Sequence, residues 1–179
     1  PSDRLALEEL LEGLLQQLME GGVAVSFIPT EGKRRLLNQT PLKALNILRN
    51  NPHALVVALP DLYPPNVVFE HRTVEKLQHA LRTEFERQAQ RKRVTDARVL
   101  SRFHVFCLKY DLEALVLAAE RELASRLGQP SIERTWIVPV EDQDHNRPPK
   151  RIVEALFAAY GERYRDTIDA PLILGAAHY

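Results

Sequence analysis

The run HALVVALP, residues 53–60, constrains the fold of this chain more than any other segment. It is continuously apolar and β-branched rather than alternating, which is typical of a strand buried on both faces of a parallel sheet. Asp61 follows the run at once, and Pro64 and Pro65 exclude regular structure just beyond it. The pattern therefore predicts a central strand that stops at a lone carboxylate.

Segments of helical periodicity alternate with short apolar runs along the rest of the chain. The predicted strands cover residues 23–29, 53–60, 102–110 and, as a short edge strand, 135–141. The predicted helices cover residues 2–20, a stretch from the EGKRR turn to Asn50 that restarts at Thr40-Pro41, and residues 72–93, 112–128, 149–164 and 169–177. This order predicts an α/β layered domain with a mainly parallel sheet flanked by helices.

Composition narrows the class of protein. With 24 Lys and Arg against 24 Asp and Glu in 179 residues, the whole chain carries no net charge that would draw it to an acidic partner. Cys107 is the only cysteine, so the chain has no internal disulfide framework and fits a reducing compartment. Its longest apolar runs are strand-length. We therefore expect a cytoplasmic protein that does not enter the membrane.

Carboxylates follow two of the predicted strands. Asp61 ends the central strand, and Asp111 and Glu113 follow the strand RFHVFCL at the first turn of the next helix. Because the carboxyl ends of parallel strands meet at one edge, we expect these acids to lie close together, with Asp3 at the start of the first helix. Oxygen ligands of this kind hold Mg²⁺ or Mn²⁺. The alternative is that Asp61 starts a turn while Asp111 and Glu113 cap a helix and complement its dipole.

Basic side chains lie near the same predicted edge. Lys33 and Arg34 follow the predicted strand 23–29, and Lys109 stands beside the acids. They are candidates for contacts with substrate phosphates, although a plain helix start or an ion pair explains them as well. Cys107 lies among apolar neighbours and is expected to be an inert buried thiol.

Several segments together resemble a known family. PSDRLALEELL resembles the segment that follows the first strand of TOPRIM domains, and ALPDLYP resembles their second signature, Asp-x-Asp after a hydrophobic strand, with Tyr63 in place of the second acid. With KYDLEALVLA and PPKRIVEALF, the order is similar to a TOPRIM-related bacterial family of unknown function that is often encoded beside ABC-type ATPases. Related TOPRIM domains occur in the overcoming-lysogenization-defect nucleases.

The resemblance implies a TOPRIM-like core over residues 1–128 and a mostly helical C-terminal extension over residues 129–179. Because the chain starts with a helix where such folds have just left a strand, the core is expected to lack its first strand. The implied site has Asp61 and Glu113 as catalytic residues, and the ligands of Mg²⁺ or Mn²⁺ would be these two acids together with Asp3. Lys33, Arg34 and Lys109, by their position near the predicted sheet edge, are the candidate phosphate contacts.

The implied activity is divalent-metal-dependent phosphodiester hydrolysis, a nuclease in anti-phage defence with an ABC-type ATPase as partner. Two features depart from the TOPRIM pattern. The glutamate of the first signature is absent from this sequence, and Tyr63 is a poor ligand for Mg²⁺ as a neutral phenol. The alternative is therefore an interaction subunit with a degraded site that docks on an ATPase or on another copy of itself. A small-molecule phosphatase or phosphotransferase is a third reading.

Overall fold

The computed structural model describes residues 2–30, 32–63, 68 and 71–177. The chain divides into two compact units, one of Pro1–Pro29 with Tyr110–Tyr179 and one of Thr30–Lys109. These units group the chain differently from the predicted division at residue 128, which stays a prediction.

The two units differ in charge. Residues 30–109 contain 15 Lys and Arg against 7 Asp and Glu, a formal net charge of +8, whereas the rest of the chain contains 9 against 17, a net charge of −8. We call residues 30–109 the basic unit and the other residues the acidic unit. The neutrality of the whole chain therefore conceals two strongly and oppositely charged parts.

The secondary structure is mixed, with helices predominating. The strands are β1 (Val56–Ala58) and β2 (Phe103–Val105). The α-helices are α1 (Ser2–Leu10), α2 (Glu12–Glu20), α3 (Lys33–Asn50), α4 (Val74–Arg91), α5 (Ala97–Leu100), α6 (Glu113–Ala118), α7 (Glu120–Arg126), α8 (Pro149–Ala159) and α9 (Asp169–Ala176), with a 3₁₀ turn over Val140–Asp142. No helix in the described ranges combines the length and the apolar character that a membrane span requires.

The basic unit is built on a small parallel sheet. β1 and β2 pair in parallel with Val56 opposite Phe103, and Asp61 is bridged to Leu108 in the same register further along. Helices α3 and α4 cover one face, where Phe85 stacks on Phe103 with ring centroids 4.4 Å apart. The predicted class, α/β with a parallel sheet flanked by helices, is confirmed at this level.

The predicted burial of the central strand on both faces is wrong. Along residues 54–63 the even-numbered positions are buried or half-buried, but Leu55, Val57 and Leu59 are 60%, 50% and 38% exposed. Helices cover only one face of the sheet within the described residues, so apolar side chains on the other face remain in contact with solvent. A continuous apolar run cannot distinguish a covered face from a face that awaits a partner.

Two other predicted strands are wrong. Residues 23–29 belong to no strand, because a strand requires a neighbouring strand and none pairs with them in the described part of the chain. Residues 135–141 are irregular and lead into the 3₁₀ turn over Val140–Asp142. The alternation of side chains was present in both segments, but pairing cannot be read from one segment alone.

The predicted helices lie where they were expected but differ in continuity and length, and the predicted helix 149–164 ends at Ala159. Helix α3 runs straight through Pro41, so the predicted restart at Thr40-Pro41 is wrong. Pro41 is itself buried with Leu37, Leu45 and Leu48, and this shared apolar face holds the helix together despite the missing amide proton. The predicted helices 2–20 and 112–128 are each broken once, at Leu11 and Ala119. Gly128 ends the latter with φ of 67°, a conformation that favours glycine.

The acidic unit is a helical assembly around one core. α1 packs against α9, and α6 packs against α8. Side chains such as Leu117, Ile152 and Phe157 are almost fully buried there. Arg126 of α7 donates from Nε and Nη2 to one oxygen of Asp169, at 3.0 and 2.6 Å, and thereby fixes the start of α9.

Candidate functional site

Asp61 lies at the carboxyl end of the parallel pair. The N–H of Leu108 donates to Pro60 O at 3.0 Å and the N–H of Leu62 donates to Leu108 O at 2.7 Å, so the backbone on both sides of Asp61 is held by the neighbouring segment. The side chain is half-buried and lies on the same face as Leu59 and Val57. The carboxylate is therefore fixed at the end of the open face of the sheet.

The first turn of α3 approaches the same end. Nζ of Lys33 donates to the backbone oxygen of Leu62 at 2.6 Å, and Lys33 and Asp61 interact electrostatically. Burial lowers the pKa of Lys33, and the negative charge of Asp61 opposes part of that shift. A lysine and a carboxylate thus meet at one sheet edge, as the sequence predicted for Lys33 and Asp61.

The first turn of α3 is unusually basic for the amino end of a helix. Its first turn has Lys33, Arg34 and Arg35, contains no acid, and follows Gly32, which offers no capping side chain. Cations at the amino end of a helix oppose the positive end of its dipole, whereas a bound anion there is favourable. Arg34 and Arg35 are exposed, so this turn combines two features that suit a phosphate group.

Cys107 lies close to these charges but is a poor nucleophile. Burial raises the pKa of its thiol to about 11, while the positive charge of Lys33 counteracts part of the shift. The thiol donates to Leu108 O at 3.3 Å. Since the thiolate is the reactive form, this cysteine is protonated and unreactive at neutral pH, as its apolar neighbours suggested.

Lys109 and Tyr63 belong to the same edge through their backbones. The N–H of Tyr63 donates to Lys109 O at 3.1 Å, and both side chains are half-buried. Lys109 is therefore next to the end of the strand pair, where the sequence predicted a phosphate contact. Pro64 and Pro65, which the sequence predicted to exclude regular structure beyond Asp61, lie outside the described residues.

Glu113 has a different environment. It lies in the first turn of α6, is 5% exposed, and its Oε1 is 3.4 Å from Nζ of Lys150, which also lies 3.4 Å from Oδ2 of Asp166. Burial lowers the pKa of Lys150, but the carboxylates of Glu113 and Asp166 more than offset this and raise it overall. Burial also raises the pKa of Tyr164, and the charge of Glu113 adds to that effect.

Asp3 and Glu113 both belong to the acidic unit, whereas Asp61 belongs to the basic unit. Asp3 is exposed in the first turn of α1. Across residues 2–30, 32–63, 68 and 71–177, no group of three or more His, Cys, Asp or Glu side chains is arranged to hold a metal ion. The ligand set of Asp3, Asp61 and Glu113 stays a prediction.

The charge of the basic unit is a functional signal that the sequence prediction did not include. Over the whole chain the net charges of +8 and −8 cancel. The same count made over segments of the sequence reveals a basic region over residues 30–109, which is the electrostatic pattern expected of a phosphate-binding surface.

A family model described as "Domain of unknown function (DUF4276)" matches residues 1–178. The chain belongs to the DUF4276 family. Neither a curated protein nor a solved structure matches it. In this DUF4276 chain the candidate site is defined by the geometry around Asp61 and by the charge of the basic unit.

Proposed function

We propose that this DUF4276 protein is a divalent-metal-dependent nuclease that hydrolyses phosphodiester bonds at the sheet edge marked by Asp61. The observation that carries the proposal is the meeting of Asp61, Lys33 and the basic first turn of α3 at the carboxyl end of a parallel strand pair. In parallel sheets this is the end at which ligands bind. The TOPRIM-like fold and the link to anti-phage defence are part of the proposal.

The chemistry of the available ligands favours a metal bound together with substrate. Mg²⁺ is commonly held by one or two carboxylates and by the phosphates of the substrate, with water filling the other positions. Asp61 offers one fixed carboxylate, and the phosphodiester would supply further oxygens. This arrangement suits the described residues better than a preformed cage of three acids does. Asp3 and Glu113 are the remaining proposed ligands.

The side chains of the chain itself have distinct proposed roles. Asp61 holds the Mg²⁺ or Mn²⁺ ion, which when bound stabilises negative charge on the reacting phosphate. Lys33, Arg34 and Lys109 bind and orient the phosphates on either side of the scissile bond. The net charge of +8 on the basic unit supports binding of a polyanion such as DNA or RNA over a small neutral substrate.

The experiment that tests the proposal is cleavage of plasmid DNA and of RNA with Mn²⁺ by wild type and by Asp61→Asn. We expect the wild type to cleave at least one of these substrates and the variant to lose at least about a hundredfold in rate, because a ligand of the metal ion that would stabilise the charged transition state is removed. Glu86→Gln is the matched control, since Glu86 is an exposed acid on α4 in the same unit. Equal rates for wild type and Asp61→Asn would refute the proposed site.

A second candidate function, an interaction subunit that docks on an ABC-type ATPase, is favoured by one observation. Glu113 is buried and paired with Lys150, an environment that accounts for it as a structural residue. Under this alternative, Glu113→Gln lowers the stability of the protein, and the wild type has no cleavage activity with either metal. Activity that survives in proportion to the folded fraction of Glu113→Gln would remove Glu113 from the site while retaining Asp61.

A further inference from the structure

The strand pair of the basic unit has one closed edge and one open edge. On the outer side of β2, Gln78 donates from Nε2 to Val105 O at 3.2 Å and Arg82 donates from Nη2 to Phe103 O at 3.4 Å. These two side chains of α4 occupy the carbonyl oxygens that a further strand would use. The outer edge of β2 is therefore unavailable for strand addition.

Within the described residues, no side chain bonds to the outer edge of β1 in this way. Residues 56, 58 and 60 bond to the β2 side, for example from Val56 N to Arg102 O at 3.0 Å and from Phe106 N to Ala58 O at 3.0 Å. Because alternate residues of a parallel strand bond to opposite sides, the N–H and C=O groups of Val57 and Leu59 point to the outer edge. No third strand pairs there among the described residues.

Apart from its short length, this edge lacks the usual protection against strand addition. Natural edge strands carry charged side chains, prolines or bulges that prevent pairing. The segment Leu55–Leu59 has no charge and no proline, and its exposed side chains continue onto Phe106, which is 58% exposed. An uncharged, regular and apolar edge of this kind is suited to pairing with a further strand.

The acidic unit contains a segment, residues 12–29, that also leaves apolar side chains exposed. Helix α2 buries none of its residues, and Leu14, Met19, Val23, Val25 and Ile28 are between 45 and 69% exposed. Residues 24–29 form no helix, strand, turn or bend, and their backbones form no hydrogen bond with any other described residue. Helix α2 and this run therefore leave most of their apolar side chains exposed.

We propose that the protein forms a two-fold dimer in which residues 12–29 of one copy pair with the open edge of β1 in the other copy. The run 23–29, whose side chains alternate like those of a strand, would add as a third strand, and α2 would cover the bare face formed by Leu55, Val57, Leu59 and Phe106. This is β-strand addition made reciprocal by symmetry.

Charge favours a second copy as the occupant. Residues 12–29 contain two glutamates, Glu12 and Glu20, and no lysine or arginine, and they belong to the unit of net charge −8. The edge that they would meet belongs to the unit of net charge +8. Two copies in this arrangement bring opposite charges together twice, which steers association and fixes its orientation.

The test is the mass of the full 179-residue chain in solution, measured by sedimentation across a range of micromolar concentrations. We expect a dimer. Val57→Lys and Val25→Lys, at positions 50% and 45% exposed, should each weaken it by at least about tenfold in Kd, because each puts a charge into both contacts. Leu172→Lys, at an exposed position of α9, is the matched control and should leave the dimer intact.

Mixing the two variants gives the decisive readout. A mixed dimer regenerates one unaltered contact, with the edge from Val25→Lys and the segment from Val57→Lys, so it should form more tightly than either variant alone. Circular dichroism and urea midpoints close to wild type would establish that both variants fold. A wild type that is monomeric at every concentration, or a mixture no tighter than its components, would overturn the proposal.

Discussion

Nζ of Lys33 donates a hydrogen bond of 2.6 Å to the backbone oxygen of Leu62, the residue directly after Asp61. This contact joins the first turn of α3 to the carboxyl end of β1 across 29 positions of sequence. It brings a lysine of lowered pKa and a half-buried carboxylate to one edge of the sheet. The proposed binding of nucleic acid and of a metal ion takes place at this edge.

The lowered pKa of Lys33 predicts a stability change at alkaline pH. Because the pKa in the folded chain lies below the ordinary value of 10.5, the unfolded chain binds more protons between the two values. The free energy of unfolding therefore rises with pH in that window. Wild type should gain stability relative to Lys33→Met as pH rises toward 10.5, measured by urea denaturation at several pH values. A wild type that loses stability relative to Lys33→Met as the pH rises would contradict the assigned environment.

The basic turn of α3 predicts salt-dependent binding of nucleic acid. Substituting both Lys33 and Arg34 with alanine should weaken binding of a labelled single-stranded oligonucleotide and reduce the slope of log K against log salt by roughly 0.7 for each lost phosphate contact. Fluorescence anisotropy at several salt concentrations measures both quantities. The control is Arg163→Ala, an exposed arginine of the acidic unit, which should change neither.

Cys107 should react slowly in the folded protein. Burial raises the pKa of its thiol to about 11, so only a small fraction is thiolate near neutral pH. Alkylation by iodoacetamide should be much slower than in the urea-unfolded chain, and the folded rate should keep rising through pH 10. Cys107→Ala should leave any cleavage activity unchanged. Rapid alkylation of the folded protein at neutral pH would indicate an activated thiol instead.

The pairing of Arg126 with Asp169 predicts a large effect on stability. Asp169 is fully buried, accepts from two nitrogens of Arg126, and accepts the N–H of Arg165 at 2.6 Å. Asp169→Ala leaves the guanidinium without its buried partner and should cost about 3 kcal/mol of unfolding free energy. Glu162 pairs with the same arginine at 3.2 Å but is exposed, so Glu162→Ala should cost less than about 1 kcal/mol. Equal losses in urea denaturation would show that burial does not distinguish the two pairs.

The positions of most helices and of β1 could be predicted from the sequence. Periodic leucines gave the helices, and the apolar run 53–60 gave the position of β1 and the location of Asp61 at its end. The predicted restart of α3 at Pro41 is wrong because Pro41 shares a buried apolar face with Leu37 and Leu45. This packing outweighs the cost of a proline inside the helix. Propensity is local, whereas packing on the rest of the unit decides the outcome.

Strand pairing and tertiary contacts could not be predicted from the sequence in the same way. Residues 23–29 alternate like a strand, but whether a strand forms depends on a neighbour that the segment itself does not specify. The sequence predicted only that Lys33 lies near this edge of the sheet. Its hydrogen bond to Leu62 depends on how α3 packs against the sheet. The environment of Glu113 depends on Lys150, which lies 37 positions away and gave no sign of the pairing.

The most direct test of the proposed site is the binding of Mn²⁺, followed by the loss of its free electron paramagnetic resonance signal. The titration uses a phosphorothioate-substituted oligonucleotide that resists cleavage, with wild type, Asp61→Asn and Glu86→Gln. We expect wild type and Glu86→Gln to bind the ion in the presence of the oligonucleotide, and Asp61→Asn to bind it at least about tenfold more weakly, a loss of about 1.4 kcal/mol. Undiminished binding of Mn²⁺ by Asp61→Asn would contradict the account.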